Sequence, residues 1–117
     1  MYERKIPLDF GCGIRLAMEV IGGKWKSCIL FDLREGPKRP SELIKLYEDA
    51  NARVINQQIK ELTDYGMIEK HVKNVLPPHT EYALTAAGRS ALPILEDLEK
   101  WGNSIKPMIL KHYENQK

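Results

Sequence analysis

Cysteine is scarce in this sequence, and long apolar runs are missing. Its 117 residues include two cysteines, Cys12 and Cys28, too few for the disulfide framework of a small secreted protein. No apolar run approaches the roughly 20 residues that a membrane-spanning helix needs. The N-terminal stretch MYERKIPLDF lacks the apolar centre of a secretory signal. We therefore expect a cytoplasmic protein with reduced thiols and no membrane contact.

Motifs for catalysis and metal binding are also missing. No glycine-rich phosphate loop ends in Lys-Ser or Lys-Thr, and the GCG at positions 11–13 does not fit that pattern. The histidines, His71, His79 and His112, have no cysteine or carboxylate partners at zinc-site spacing. No Ser-His-Asp arrangement is evident. The sequence therefore predicts a protein that is not an enzyme and needs no cofactor and no metal.

Composition indicates one folded domain over residues 1–117. Hydrophobic residues make up 43% of the chain and charged residues 29%, as in ordinary globular proteins. A chain of this length suffices for one hydrophobic core but not for two. The net charge of +2 does not by itself identify a nucleic-acid partner, so the placement of the basic residues has to decide.

Apolar residues at helical spacing predict four helices in the first half of the chain. They are expected over residues 12–21, 24–35, 40 to 46 or 47, and 52–65. The second is apolar nearly all round, so we expect it, with Cys28, in the core. For the third, the expected buried stripe is Leu43, Leu46 and Tyr47. Asn51 is a good N-cap for the fourth helix, and Gly66 ends it.

The fourth helix has two chemically different faces at about 100° per residue. Its expected inner face carries Ala52, Ile55, Ile59 and Leu62, and its opposite face carries Arg53, Asn56, Gln57, Lys60 and Asp64. Arginine pairs with guanine edges in a DNA major groove, and asparagine and glutamine pair with adenine edges. Lys60, one turn further on, suits a phosphate. The alternative is an ordinary solvated helix face.

A hairpin and a long helical region are expected after Gly66. Ile68 and Val72 are candidate inward positions of the first strand, and Tyr82 and Leu84 belong to the returning strand, with a projecting loop over residues 74–79. Thr85 is the expected N-cap of the last helical region, which Pro93 could kink. An apolar strip recurs there at steps of four and three residues: Ile94, Leu98, Trp101, Ile105 and Met108. A strip of this kind needs a partner surface.

The order of three helices, a polar-faced helix and a hairpin is that of a winged helix-turn-helix, mainly α with a small β-hairpin. Four ordered stretches strengthen this interpretation: GGKW at 22–25, GPKRPSEL at 36–43, RVINQQIKELTDYGMIEK at 53–70 and PPHTEYALTAAGRSALPILEDLEKWG at 77–102. With these stretches the sequence resembles the HxlR-type winged helix-turn-helix regulators, relatives of the MarR group. It departs from that family at Pro40, where an aromatic residue is common, and at Gly13, where proline follows the early cysteine.

The resemblance implies a homodimeric transcription factor that binds double-stranded DNA at a pseudo-palindromic operator. Its third and fourth helices would form the DNA-binding turn, while its first helix and its C-terminal helices (about residues 86–113) would dimerise. The predicted DNA contacts are Arg53, Asn56, Gln57, Lys60, Arg39, Ser41, Lys24, Lys73 and His79. The predicted dimer contacts are Ile14, Met18, Ile94, Leu98, Trp101, Ile105 and Met108.

The resemblance also makes Cys12 a candidate sensor, because an early cysteine senses oxidants or electrophiles in some members of the family. Arg15 and the nearby helix N-terminus would lower the pKa of the Cys12 thiol. The alternative is a packing cysteine at the dimer interface. Cys28 is expected in the core but remains a possible disulfide partner. Two other functions stay open: control by a small-molecule ligand between the dimer helices, and a protein-interaction module that binds no DNA.

Overall fold

The computed structural model describes Leu8 and residues 10–116. Six α-helices and one antiparallel hairpin follow each other in this part of the chain. In order they are α1 (Gly13–Ile21), α2 (Lys26–Asp32), α3 (Pro40–Leu46), α4 (Ala52–Asp64), β1 (Ile68–Lys73), β2 (His79–Leu84), α5 (Ala86–Ser90) and α6 (Leu92–Asn115). The predicted mainly helical, winged fold is confirmed.

One hydrophobic core joins α2, α3, α4 and the base of the hairpin. Its fully buried side chains are Ile29, Leu30, Leu33, Leu43, Ile55, Leu62 and Ile68. The apolar face of α4 contributes Ile55, Ile59 and Leu62 to this core, as predicted. The predicted inner position of Ala52 is wrong, because Ala52 is the first residue of α4 and lies outside the core, where it is exposed. Each buried side chain of this size contributes about 1.5–3 kcal/mol, so the core fixes how α3 and α4 lie relative to each other.

The second helix is shorter and less buried than its sequence predicts. The α-helix ends at Asp32, and residues Leu33–Glu35 form a 3-10 turn before Gly36, whose φ is +140°. Ile29, Leu30 and Leu33 face the core, but Cys28 is exposed. The expectation of a core Cys28 is therefore wrong, because the residues on its side of α2 lie beside α6 at the open edge of the core.

At the end of α3, Tyr47 is buried while Leu46 is 55% exposed, contrary to the predicted stripe. The helix stops at Leu46, and Tyr47 has left helical geometry with ψ at +87°. Its ring packs on Trp25 with 5.0 Å between ring centroids, and its hydroxyl donates a hydrogen bond to Asp32. Burial first and this carboxylate second raise the pKa of Tyr47 well above its usual value.

The hairpin projects from the core as a wing (residues 68–84). Its strands pair in one register from Ile68 opposite Leu84 to Lys73 opposite His79, so the loop at its tip is residues 74–78. Only Ile68 of β1 is buried, and Val72 is 62% exposed. The predicted inward position of Val72 is wrong because the strand leaves the core after its first residue.

The C-terminal region is broken once and then continuous. Thr85 caps α5 as predicted, its hydroxyl accepting from the Gly88 N–H at 3.1 Å. The helical region is interrupted at Ala91, between α5 and α6. Pro93 lies in the first turn of α6, where proline is tolerated. Pro107 lies inside α6, which continues to Asn115. Among the described residues, no helix combines the length and apolar character needed to cross a membrane.

Candidate nucleic-acid interface

The polar face of α4 points away from the core. Asn51 begins the helix, its side-chain oxygen accepting from the Arg53 N–H at 2.7 Å. The four side chains predicted to contact DNA are exposed on this helix: Arg53, Asn56, Gln57 and Lys60. Asp64, predicted on the same face, is half-buried. One face of α4 packs against the core and the other face is exposed. A helix held in this way can enter a DNA major groove.

Two contacts that the sequence does not predict hold α4 in place. Gln58 accepts a hydrogen bond from the backbone N–H of Trp25 at 3.0 Å. Lys26 is buried, and its Nζ lies 3.2 Å from Glu61 Oε2 and 2.6 Å from the Glu19 carbonyl oxygen. Gln58 sits beside the apolar face on the helical wheel, which was the available signal. Nothing in the spacing of Lys26 distinguishes it from an ordinary surface lysine.

The wing is joined to the start of α3 by side-chain contacts. Arg39 donates to His79 Nδ1 at 3.1 Å, and His79 Nε2 lies 3.1 Å from Glu81 Oε2. Because a guanidinium only donates, Nδ1 must accept, and the ring proton therefore lies on Nε2. Lys73 Nζ stands 3.9 Å from Glu81 Oε1. A Lys38–Tyr82 bridge, with N–O distances of 3.0 and 2.8 Å, completes the junction.

The remaining predicted DNA contacts flank this region. Ser41 is exposed in the first turn of α3, and Lys24 is exposed before α2 with its Nζ 5.2 Å from the Trp25 ring centroid. Arg39 is also exposed. The structure therefore brings Arg39, His79 and Lys73 into one cluster at the outer end of the two strands, next to the loop of the wing.

The two cysteines occupy different electrostatic settings. Cys12 immediately precedes α1, and Arg15 lowers the pKa of its thiol, through its backbone N–H first and its side chain second. Cys28 lines a groove of about 420 Å³ together with Phe31, Asp32 and Leu98. The residue as a whole is exposed, but partial burial of its thiol in this groove, first, and the Asp32 carboxylate, second, raise the pKa of Cys28. Cys12 is therefore the more nucleophilic of the two at neutral pH.

Apolar side chains are exposed along α1 and α6. The predicted dimer contacts Ile14, Met18, Ile94, Leu98, Trp101 and Met108 are between 41% and 77% exposed. Ile105 is half-buried. On α6 the pattern extends to Ile109, Leu110 and Tyr113. Exposed apolar surface of this extent marks an interaction site rather than scattered surface residues.

Comparison with known proteins agrees with this architecture. The family model described as HxlR-like helix-turn-helix matches residues 20–109. The chain belongs to the HxlR family. It is 36% identical to the HTH-type transcriptional regulator YdeP of Bacillus subtilis over an alignment of 117 positions, which covers 95% of this chain and 91% of YdeP. This HxlR-family chain is thus a transcriptional regulator and not an enzyme.

Solved structures of HxlR-family proteins share its fold. The crystal structure of YtcD has 42% identity and a TM-score of 0.74, covering 80% of this chain and 95% of that one. The redox regulator HypR, in its reduced form, has 30% identity and a TM-score of 0.79, covering 86% and 99%. HypR in its oxidised form has 33% identity and a TM-score of 0.75. These matches confirm the winged helix-turn-helix. The MarR-like resemblance is confirmed by a MarR-family structure from Porphyromonas gingivalis, with 32% identity and a TM-score of 0.73, covering 85% of this chain and 96% of that one.

Proposed function

We propose that this HxlR-family protein is a homodimer that binds a pseudo-palindromic operator in double-stranded DNA with α4 in the major groove. The proposal rests on one observation: one face of α4 is packed against the core, and the opposite face is polar and exposed. Arg53, Asn56 and Gln57 would contact base edges, and Lys60 would contact a phosphate. A helix-turn-helix regulator of this family binds DNA, and the contact residues are our assignment.

Side chains near α2, near α3 and at the outer end of the wing supply the neighbouring backbone contacts in this proposal. Arg39, Ser41, Lys24 and Lys73 would contact phosphates, because each is a donor exposed beside α3, α2 or the wing. His79 has both ring nitrogens engaged, so its part is to hold Arg39 against the wing. Phosphate contacts supply affinity without sequence preference, and the face of α4 supplies the preference.

A gel-shift titration with the DNA that flanks the protein's own gene tests the proposal. We expect one retarded complex whose affinity falls steeply as salt rises. The plot of log K against log salt should have a slope of about −0.9 for each phosphate that the protein neutralises. A hydroxyl-radical footprint should show two half-sites about one helical turn apart. Equal affinity for these fragments and for random DNA of the same length would contradict sequence-specific binding.

Dimerisation is proposed through α1 and α6. The apolar strip of α6 has the spacing of a helix-packing face, and Ile14 and Met18 add a second exposed patch. A two-fold dimer formed through these surfaces would place its two α4 helices about one helical turn of DNA apart, so that they enter successive major grooves. Trp101→Lys should convert a dimer to a monomer in analytical ultracentrifugation, with Lys100→Glu as a charge-changing control on the same helix. A wild-type protein that sediments as a monomer at micromolar concentration would overturn this part.

We further propose that Cys12 makes operator binding sensitive to oxidants or electrophiles, with Cys28 as a disulfide partner. The lowered pKa of the Cys12 thiol supports this, and the similar protein HypR is a redox regulator. Diamide or hypochlorite should change operator affinity in the wild type and not in Cys12→Ser. Identical responses of the two proteins would remove the sensor. A response to aromatic compounds but not to oxidants would favour a ligand-controlled regulator instead.

A further inference from the structure

One face of the wing carries a run of ionisable side chains. Side chains alternate between the two faces of a strand, and residues opposite each other in an antiparallel pair share a face. In the register of this hairpin five ionisable side chains therefore lie on the same side, and we call them the charged face of the wing: Glu69, His71, Lys73, His79 and Glu81. Two of the five are histidines, and histidine ordinarily gains or loses its proton between about pH 5 and about pH 8. The net charge of this face is therefore sensitive to pH near neutrality.

His79 joins the charged face to the start of α3. Its Nδ1 accepts a hydrogen bond from the Arg39 guanidinium at 3.1 Å, and its Nε2 lies 3.1 Å from Glu81 Oε2. The side chains of His79 and Glu81 are only 18% and 23% exposed. His71 is 46% exposed, and its Nε2 lies 3.2 Å from Glu69 Oε1. His79 is therefore the histidine of this face whose proton bears on a contact with Arg39.

We propose that pH controls operator binding through His79, which holds Arg39 when its ring is neutral and releases it when its ring is protonated. The inference rests on the proposed DNA binding and adds a regulation of it. A proton from the solvent binds at Nδ1, so the Arg39 N–H loses its acceptor while Nε2–H keeps its contact with Glu81. The guanidinium stays charged throughout. Repulsion between the two cations then frees Arg39 to reach a phosphate.

The charges around His79 come from both strands and from the segment before α3. Lys73 lies opposite His79 on β1, with its Nζ 3.9 Å from Glu81 Oε1. Glu42 accepts from the backbone N–H of Arg39 at 2.9 Å. The other charged groups at this junction form pairs of their own, Arg34 and Lys38 with Glu35. Because Glu81 already has Lys73 beside it, a proton on His79 adds positive charge to the part of the wing proposed to meet the DNA backbone.

The direction of the pH effect follows from linkage. DNA is a polyanion, so its phosphates bind the protonated cluster more tightly than the neutral one. Formation of the complex therefore takes up a proton, and a ligand that favours the protonated state gains affinity from protonation in equal measure. Operator affinity should rise as pH falls through the histidine range. The gain is absent above that range, where a neutral His79 holds Arg39.

Operator titrations at two pH values test the proposal, with the DNA that flanks the protein's own gene as the probe. The wild type should bind about fivefold more tightly at about pH 5.5 than at about pH 8, with a slope of log K against log salt more negative by about 0.9, as for one further phosphate contact. Circular dichroism at both pH values checks that the protein stays folded.

Two glutamine variants assign the effect to one histidine. His79→Gln keeps an acceptor for Arg39 and a donor for Glu81 but does not titrate, so it should bind at both pH values as the wild type does at about pH 8. His71→Gln, the matched change at the other histidine of the charged face, should keep the wild-type response. A full pH response in His79→Gln, or its loss in His71→Gln, would overturn the proposal.

The release of Arg39 can be measured without DNA. Nitrogen NMR of the His79 ring should show the proton on Nε2 at about pH 8 and protons on both nitrogens at about pH 5.5. Over the same range the guanidinium signals of Arg39 should move towards those of a solvated arginine, and in His79→Gln they should stay constant. Arg39 signals that do not change while His79 titrates would overturn the release.

The outcomes also separate this inference from the function on which it rests. Sequence-specific binding that is equally tight at both pH values overturns the pH control and leaves the proposed DNA binding intact. Specific binding at neither pH overturns the proposed function, and the pH control with it. Tighter binding at low pH with an unchanged salt slope would mean that the proton acts away from a phosphate contact, which overturns the role of Arg39.

Discussion

Lys26 and Glu61 form an ion pair, with 3.2 Å between Nζ and Oε2, that joins the first residue of α2 to α4. Both side chains are at most 15% exposed. The lysine also donates to the Glu19 carbonyl oxygen of α1. One side chain therefore links three helices, and the orientation of the proposed recognition helix depends on it.

Removing that lysine should destabilise the fold. Lys26→Met keeps the apolar stem but leaves Glu61 without its counter-ion, so we expect the free energy of unfolding to fall by about 3 kcal/mol. Urea denaturation followed by circular dichroism measures this. Lys24→Met, at an exposed position, should change it by less than about 0.5 kcal/mol. In the Lys26→Met background, Glu61→Gln should cost less than it does alone. A wild-type unfolding free energy for Lys26→Met would show that the pair contributes nothing.

The adjacent glutamines Gln57 and Gln58 should separate into two roles. Gln57→Ala should keep the stability of the protein and lower its discrimination between operators by about 1–3 kcal/mol, because the side chain is exposed on the proposed base-contacting face. Gln58→Ala should cost about 1 kcal/mol of folding stability, because the Trp25 N–H loses its acceptor.

Two measurements on both variants test these predictions. Thermal unfolding measures folding stability, and competition binding measures discrimination between operators. Exchanged results, with Gln57 needed for stability and Gln58 for operator choice, would mean that the assigned faces of α4 are wrong.

Tyr47 should make stability depend on alkaline pH. Its raised pKa means that the folded state retains the phenol proton beyond about pH 10, the usual value in an unfolded chain. The stabilisation is fully present below about pH 10 and is lost as pH rises towards the folded pKa. The difference in unfolding free energy between the wild type and Tyr47→Phe should therefore shrink between about pH 9 and about pH 11. A constant difference across that range would rule out this linkage.

Alkylation rates should distinguish the two thiols. The pKa of Cys12 is lowered and that of Cys28 is raised, so near pH 7.5 iodoacetamide should modify Cys12 faster than Cys28, following the thiolate fraction. Cys28→Ser and Cys12→Ser isolate the two rates, which mass spectrometry measures. Arg15→Gln should slow the reaction of Cys12 and leave that of Cys28 unchanged. Equal rates for the two cysteines would contradict the assignment of Cys12 as the reactive thiol.

Local sequence signals determined the order of elements and both faces of α4. Asn51, Gly66 and Thr85 mark ends of elements through their own backbone and side-chain chemistry, which needs no tertiary partner. The spacing of Ile55, Ile59 and Leu62 fixes the inner face of the helix, and Arg53 and Gln57 then lie outside by geometry alone. For the same reason the exposed strip on α6 was visible in the sequence.

Tertiary structure decided burial wherever a residue's neighbours come from distant parts of the chain. Leu46, Val72 and Cys28 are apolar but exposed. Leu46 lies where α3 ends, Val72 lies where the wing has left the core, and Cys28 lies on a side of α2 that no other element of the described chain covers completely. Lys26 is charged, yet Glu61 and the Glu19 carbonyl oxygen meet it inside. The contact between Arg39 and His79 likewise joins residues forty positions apart. Periodicity assigns a residue to a face of its own helix or strand, whereas packing decides whether that face is covered.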